Sequence, residues 1–156
     1  MNSHINLNPG ELYFGDQFDE IKTLLGSCVS AVLWHPRYRL AGMCHVIHPG
    51  IGADDNYSYA GSAIKKLYKD VNKHLTNPAE FNVEVIGGGN MFPELVKNEN
   101  NNIGKRNADF VARFLTEYGF NIKRIDVGGT KARKISLLRE SGKIVTVYVK
   151  ENSYAK

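Results

Sequence analysis

Leu24-Leu25-Gly26-Ser27-Cys28-Val29-Ser30-Ala31-Val32-Leu33-Trp34 is an apolar run, and after His35-Pro36-Arg37-Tyr38 a second one follows, Leu40-Ala41-Gly42-Met43-Cys44-His45-Val46-Ile47. Both read as buried strands, and the proline-bearing segment between them reads as a turn. A loop of those four residues sets Trp34 opposite Arg39 and Cys28 opposite His45. Directly opposed residues of an antiparallel ladder share a face, with Cβ atoms roughly 4.5–5.5 Å apart, whereas a one-residue slip would separate them. A thiol beside an imidazole forms a nucleophile that needs neither metal nor cofactor. In this register Cys44 points to the face opposite His45, so no disulfide with Cys28 is expected and Cys28 is the candidate nucleophile.

Outward from this hairpin, His48-Pro49-Gly50-Ile51-Gly52-Ala53-Asp54-Asp55 reads as a loop and Ile64, Leu67, Tyr68, Val71 and Leu75 as the apolar stripe of a helix over about 61–75, ended by Asn77-Pro78. Alternation over 81–86 predicts a strand running into Gly87-Gly88-Gly89, and the asparagine-rich stretch 98–102 reads as a loop. Phe110, Val111, Phe114, Leu115 and Tyr118 mark a second helix that Gly119 caps, and strands follow over 122–127, 134–139 and 144–149, the last two joined by a tight hairpin at 140–143. The expected architecture is a single α/β (α+β-like) domain over residues 1–156, a layered sandwich with a largely antiparallel sheet and two main helices.

The chain has 156 residues, 42% hydrophobic and 23% charged, which suits one globular domain with a real core. No apolar run reaches the roughly 18 residues of a membrane span, and Met1–Asn6 has neither basic flank nor apolar core, so no signal peptide is expected and the cytoplasm is the expected compartment. Asn56-Tyr57-Ser58 is then not a glycosylation site. A net charge of +4 allows attraction to an acidic partner, but the basic residues are scattered without a nucleic-acid-binding motif, so no nucleic acid is expected.

Other motifs resolve mostly against cofactors. The triple glycine 87–89 is followed by Phe92-Pro93 where a dinucleotide-binding motif needs a further glycine and a helix, and no phosphate-binding lysine motif is present. His4, His35, His48 and His74 lack zinc-ligand spacing to the cysteines, and Cys28, Cys44 and His45 alone make an incomplete set, so no metal is expected. Lys131, Arg133 and Lys134 form a basic cluster that is either solvated or a contact to an acidic or carboxamide-rich partner. Gly26-Ser27 can bend the chain before Cys28 and leave backbone N–H groups for a developing oxyanion. Thr23 can hydrogen-bond the second imidazole nitrogen of His45 and fix its tautomer, provided that Gly26 breaks the strand alternation that would turn Thr23 and Cys28 to opposite faces.

Five ordered blocks, Thr23-Leu24-Leu25-Gly26-Ser27-Cys28-Val29, Gly42-Met43-Cys44-His45, 85–92, Ile103-Gly104-Lys105-Arg106-Asn107 and 126–134, together resemble the CheD family, the chemoreceptor glutamine deamidases of bacterial chemotaxis, over about residues 12–150. The resemblance implies a fold like that of cytotoxic-necrotizing-factor deamidases. It also implies Cys28 as nucleophile, His45 as general base and acid, Thr23 as the residue orienting His45, and Gly128-Gly129-Thr130 as part of the active-site rim beside Gly26 and Ser27. The implied reaction is hydrolysis of receptor glutamine to glutamate, with glutamyl methylesterase activity on the same path and an imidazolium lowering the thiol pKa. The implied substrate is the helical cytoplasmic region of the receptors, with no cofactor and no membrane insertion. Alternatives are a regulatory partner of a CheC-type phosphatase and a cysteine deamidase acting on a non-receptor protein. The family's tyrosine with an aspartate shortly after it, before the first long helix, is replaced by Asn56-Tyr57-Ser58-Tyr59-Ala60.

Overall fold

The apolar run 24–34 breaks in two at Gly26-Ser27-Cys28 in the computed structural model, which describes residues 3–98 and 101–149. Residues 99 and 100 of the asparagine-rich stretch and the first two residues of the chain lie outside the described residues. The strands are β1 (His4–Leu7), β2 (Leu12–Gly15), β3 (Glu20–Leu25), β4 (Val29–Trp34), β5 (Ala41–Cys44), β6 (Asn82–Gly87), β7 (Ile122–Val127), β8 (Arg133–Leu138) and β9 (Lys143–Tyr148). Helices α1 (Ala60–Lys73) and α2 (Ile103–Glu117) flank β6 in the chain. Among the described residues these strands form two sheets, β1-β3-β8-β9 and β2-β5-β4-β6-β7. One expectation is corrected here: β3 and β4, expected as one strand, belong to different sheets. Gly26-Ser27-Cys28 is the corner where the chain crosses between them.

The layers follow from side-chain alternation. Along β4, Val29, Ala31 and Leu33 face α1 and α2, while Val32 and Trp34 face the other sheet. A strand covered on both faces reads as a continuous apolar run, which is why β4 shows no polar alternation. Between the sheets Leu7, Ile21, Leu25, Ile135 and Leu137 meet Val32, Met43 and Ile86. Beyond the five-stranded sheet Ile64, Leu67 and Val71 of α1 and Val111 and Leu115 of α2 complete the second core. The result is helices, mixed sheet, mixed sheet, with parallel pairs β1/β3 and β6/β7 among otherwise antiparallel neighbours.

The hairpin register also differs. Trp34 pairs with Ala41 and Val32 with Met43, so the loop is 35–40, closed by His35 N–H donating to the Leu40 carbonyl at 2.9 Å. The two extra loop residues shift the register by two positions, which leaves every side chain on its expected face. Cys28 is therefore not directly across from His45; the last bridge of the pair is Val29 with Val46. Leu75, counted in the apolar stripe of the first helix, lies past its end with φ 59° and is 94% exposed. The second helix starts a full two turns before the stripe that revealed it, because Asn102 caps it by accepting Lys105 N–H at 3.1 Å.

Candidate active site

Thr23 and His45 join the two sheets. Thr23 sits on β3 beside Leu7 of β1, and its side chain is 2% exposed. His45 follows β5, is 3% exposed, and has its backbone held by Glu11 and Gly10, which accept from and donate to it at 3.1 and 2.9 Å. Thr23 Oγ1 lies 2.8 Å from the Leu7 carbonyl and 2.7 Å from His45 Nδ1. A carbonyl only accepts and a hydroxyl has one proton, so that proton goes to Leu7. Nδ1–H of His45 must then donate to Thr23 Oγ1, which leaves the Nε2 lone pair free. The break at Gly26 allows this: the strand ends at Leu25, and Thr23 and Cys28 no longer obey one alternation.

Cys28 and His45 line one cavity of about 700 Å3, together with Gly26, Ser27 and Thr130. The other described residues that line it are apolar, among them Pro9, Leu24 and, from the loop after β6, Met91 and Phe92. Among the described residues no lining side chain is a carboxylate, lysine or arginine. Burial pushes the Cys28 thiol above its ordinary value of 9.0 and pushes His45 from 6.5 down to about 4. Both shifts disfavour the charged forms, the direction opposite to an imidazolium that lowers the thiol pKa. Among the described residues no hydrogen bond joins Sγ to the ring; such bonds often tighten only when substrate is bound.

The corner that carries Cys28 has an unusual backbone. The carbonyl of Gly26 accepts from Gly89 N–H at 3.0 Å and that of Cys28 from Gly88 N–H at 2.9 Å. Ser27 N–H and Cys28 N–H find no acceptor among the described residues. Gly87 has φ 117°, and a Cβ there would lie 2.3 Å from the Cys28 carbonyl oxygen, so only glycine lets β6 approach the corner this closely.

The remaining expected site residues divide. Thr130 reaches the thiol cavity. Gly128 and Gly129 do not: they turn the chain at φ 90° and 74° and line a separate hollow of about 250 Å3 with Lys131 and Tyr148. Their part is indirect, since the Gly129 carbonyl accepts Asn90 N–H at 2.8 Å and so anchors the loop bearing Met91 and Phe92. The basic cluster also separates. Arg133 is buried, 3.3 Å from both Asp126 and the Gly87 carbonyl with its guanidinium over the Tyr148 ring, while Lys134 is exposed on β8. Cys44 lies on the helix side of its sheet, fully buried with its thiol pushed up to about 11. The apolar cavity walls were not legible from sequence. Asn107, whose Nδ2 donates to Ile47 and Ser27 carbonyls at 2.9 and 3.4 Å, left one trace: a polar residue on the buried stripe Gly104, Ala108, Val111, Leu115.

Among the described residues no three His, Cys, Asp or Glu side chains group as a metal site, and no helix is long and apolar enough to cross a membrane. The CheD family model, described as CheD chemotactic sensory transduction, matches residues 48–148, a span that excludes Thr23, Cys28 and His45. The similarity of the whole chain to curated proteins is wider. It is 30% identical to "Probable chemoreceptor glutamine deamidase CheD 2" of Geobacter sulfurreducens, over 91% of this chain and 88% of that protein. To "Probable chemoreceptor glutamine deamidase CheD 3" of Dechloromonas aromatica it is 36% identical, over 83% and 78%. A solved structure, the hypothetical protein YfiH of Bacillus licheniformis, aligns with TM-score 0.44 and 12% identity over 69% of this chain and 46% of that one, a partial likeness from which no function follows. On the family match and the breadth of these similarities, the chain belongs to the CheD family.

Proposed function

We propose that this protein is a hydrolase that deamidates glutamine side chains of chemoreceptors, working from the cytoplasm with Cys28 as nucleophile. The names of the relatives supply the substrate class. The observation that carries the chemistry is the Leu7–Thr23–His45 hydrogen-bond chain, which leaves Nε2 unprotonated on a histidine that lines the cavity of Cys28.

His45 Nε2 takes the thiol proton as Sγ attacks the glutamine carboxamide carbon, so the thiolate forms only during attack. The C–S bond forms and the carbonyl π pair moves to oxygen, where the N–H groups of Ser27 and Cys28 receive it. Collapse of this intermediate breaks the C–N bond, and the imidazolium protonates the departing ammonia. A glutamyl thioester remains on Cys28. Water, deprotonated by Nε2, attacks it; the C–S bond breaks, and glutamate and free thiol result. Thr23 acts throughout by holding Nδ1–H, which keeps the ring in the useful tautomer.

Among the described residues no charged side chain lines the cavity, a lining that favours an uncharged carboxamide over the carboxylate product. A glutamyl methyl ester is equally uncharged, so ester hydrolysis on the same path is part of the proposal. The test is incubation with purified receptor cytoplasmic fragments, with mass spectrometry scoring each glutamine for conversion to glutamate. Conversion by the natural protein and none by Cys28→Ala is the expected result. Absence of conversion across a panel of receptor fragments would overturn the substrate assignment, and equal conversion by Cys28→Ala would overturn the nucleophile.

A further inference from the structure

Asn107 projects from α2 toward the Cys28 corner and is fully buried. Its Nδ2 donates to the Ile47 carbonyl at 2.9 Å and to the Ser27 carbonyl at 3.4 Å. Its Oδ1 is buried and meets no hydrogen-bond partner among the described residues. Leaving an amide oxygen unpaired in the interior costs stability. An apolar residue would continue the stripe formed by Gly104, Ala108, Val111 and Leu115 without that cost. The side chain is therefore poorly explained by packing, and its two donated bonds identify what it does.

Ser27 C=O and Cys28 N–H belong to one peptide group, planar and trans, so they point in opposite directions. The same holds for Gly26 C=O and Ser27 N–H. Three successive carbonyls, of Gly26, Ser27 and Cys28, are drawn toward the β6–α2 side by Gly89 N–H, Asn107 Nδ2 and Gly88 N–H. The N–H groups of Ser27 and Cys28 are thereby turned away from β6 and α2, and neither has an acceptor among the described residues. Successive free N–H groups on one side of the chain make an anion-receiving concavity. Two of the three carbonyls are held by backbone; the middle one, which sets the Cys28 N–H, depends on a side chain.

We infer that Asn107 is a positioning residue for the oxyanion: by holding the Ser27 carbonyl it fixes the direction of the Cys28 N–H that receives the negative charge developing on the substrate. This rests on the reading of Cys28 as an acyl-transfer nucleophile, but not on which protein is its substrate. Through the Ile47 bond the same amide ties the corner to the segment that follows His45, so one residue holds both halves of the site.

The experiment compares two reactions of Cys28 in the full-length protein. Acylation by a p-nitrophenyl ester develops an oxyanion, whereas alkylation by iodoacetamide displaces iodide and develops none. Asn107→Leu removes the donor at similar volume, and Asn107→Asp replaces it with an acceptor. In both, acylation should slow at least about tenfold, with kcat and not KM carrying the change in receptor deamidation, while alkylation stays within about twofold. Equal loss of both reactions, or loss of neither, would contradict the inference, as would a natural protein acylated no faster than Cys28→Ala. Ester acylation that depends on Asn107 without any receptor deamidation would leave the inference standing and remove the receptor substrate. Should both variants unfold, the unaltered protein serves: a peptide aldehyde forms a thiohemiacetal on Cys28, and the Cys28 amide proton must move downfield in the NMR spectrum. No movement overturns the inference.

Discussion

Cys44 and His45 are adjacent in the chain, yet they sit on opposite faces of the same sheet and in opposite chemical circumstances. Cys44 lies in the dry core beneath the helices, its sulfur 3.4 Å from the Ala31 N–H. His45 faces the second sheet, where Thr23 holds its Nδ1 and the cavity of Cys28 opens. Burial raises the pKa of both thiols, so acidity does not distinguish them. Access and a base do. Cys28 is partly exposed at a chain corner and lines one cavity with His45, while Cys44 shares its surroundings with Ala31 and Leu33. Under the proposed mechanism it is the neighbouring base that activates Cys28.

Substitutions can break this contrast. The largest effect expected is from Cys28→Ala, with kcat/KM for deamidation down at least about 10⁴-fold and thermal stability nearly unchanged. Next is pH. His45 titrates near 4 in the folded protein against 6.5 when unfolded, so the unfolded chain binds the extra proton between those values. Its contribution is intact above pH 6.5 and lost as pH falls toward 4, an effect of up to about 3 kcal/mol. Urea unfolding at pH 7 and pH 4.5 should show this loss, and His45→Gln should flatten it. A loss undiminished in His45→Gln would assign it to other groups.

Thr23→Val strips the acceptor from Nδ1–H and the donor from the Leu7 carbonyl, and should lower kcat about 10- to 100-fold. Thr23→Ser should restore most of it. Steady-state kinetics with both variants decides whether the hydroxyl or the shape of the side chain matters. The smallest effect is on the other face: Cys44→Ala should cost about 1–2 kcal/mol in unfolding free energy and leave kcat within about twofold. A large catalytic loss there, with folding intact, would erase the distinction between the two thiols.

The hairpin, both helices and the last three strands were legible because their apolar periodicities are strong. So was Cys44's turn away from His45, because that depends only on alternation and survives a two-residue register change. The split of residues 24–34 between two sheets was hidden, since strands buried on both faces show no polar alternation to mark where one ends. β1 and β2 were missed because four residues each are too short for a period to show. Thr23, Cys28 and His45 were candidates by their chemistry, and the fold brings Thr23 against His45 and sets His45 and Cys28 on one cavity; the direction of the Cys28 and His45 pKa shifts is a property of burial, which only the folded layers supply. Gly128 and Gly129 look like cavity residues in sequence because glycine marks a turn without saying what the turn surrounds.

The central claim is that the inner face of the five-stranded sheet carries a neutral thiol–imidazole couple whose tautomer Thr23 sets. Long-range proton–nitrogen NMR of the imidazole of His45 tests it most directly. The account predicts a protonated Nδ1 and an unprotonated Nε2 at pH 7, with titration near 4. A proton on Nε2 alone, or an imidazolium at pH 7, would contradict it.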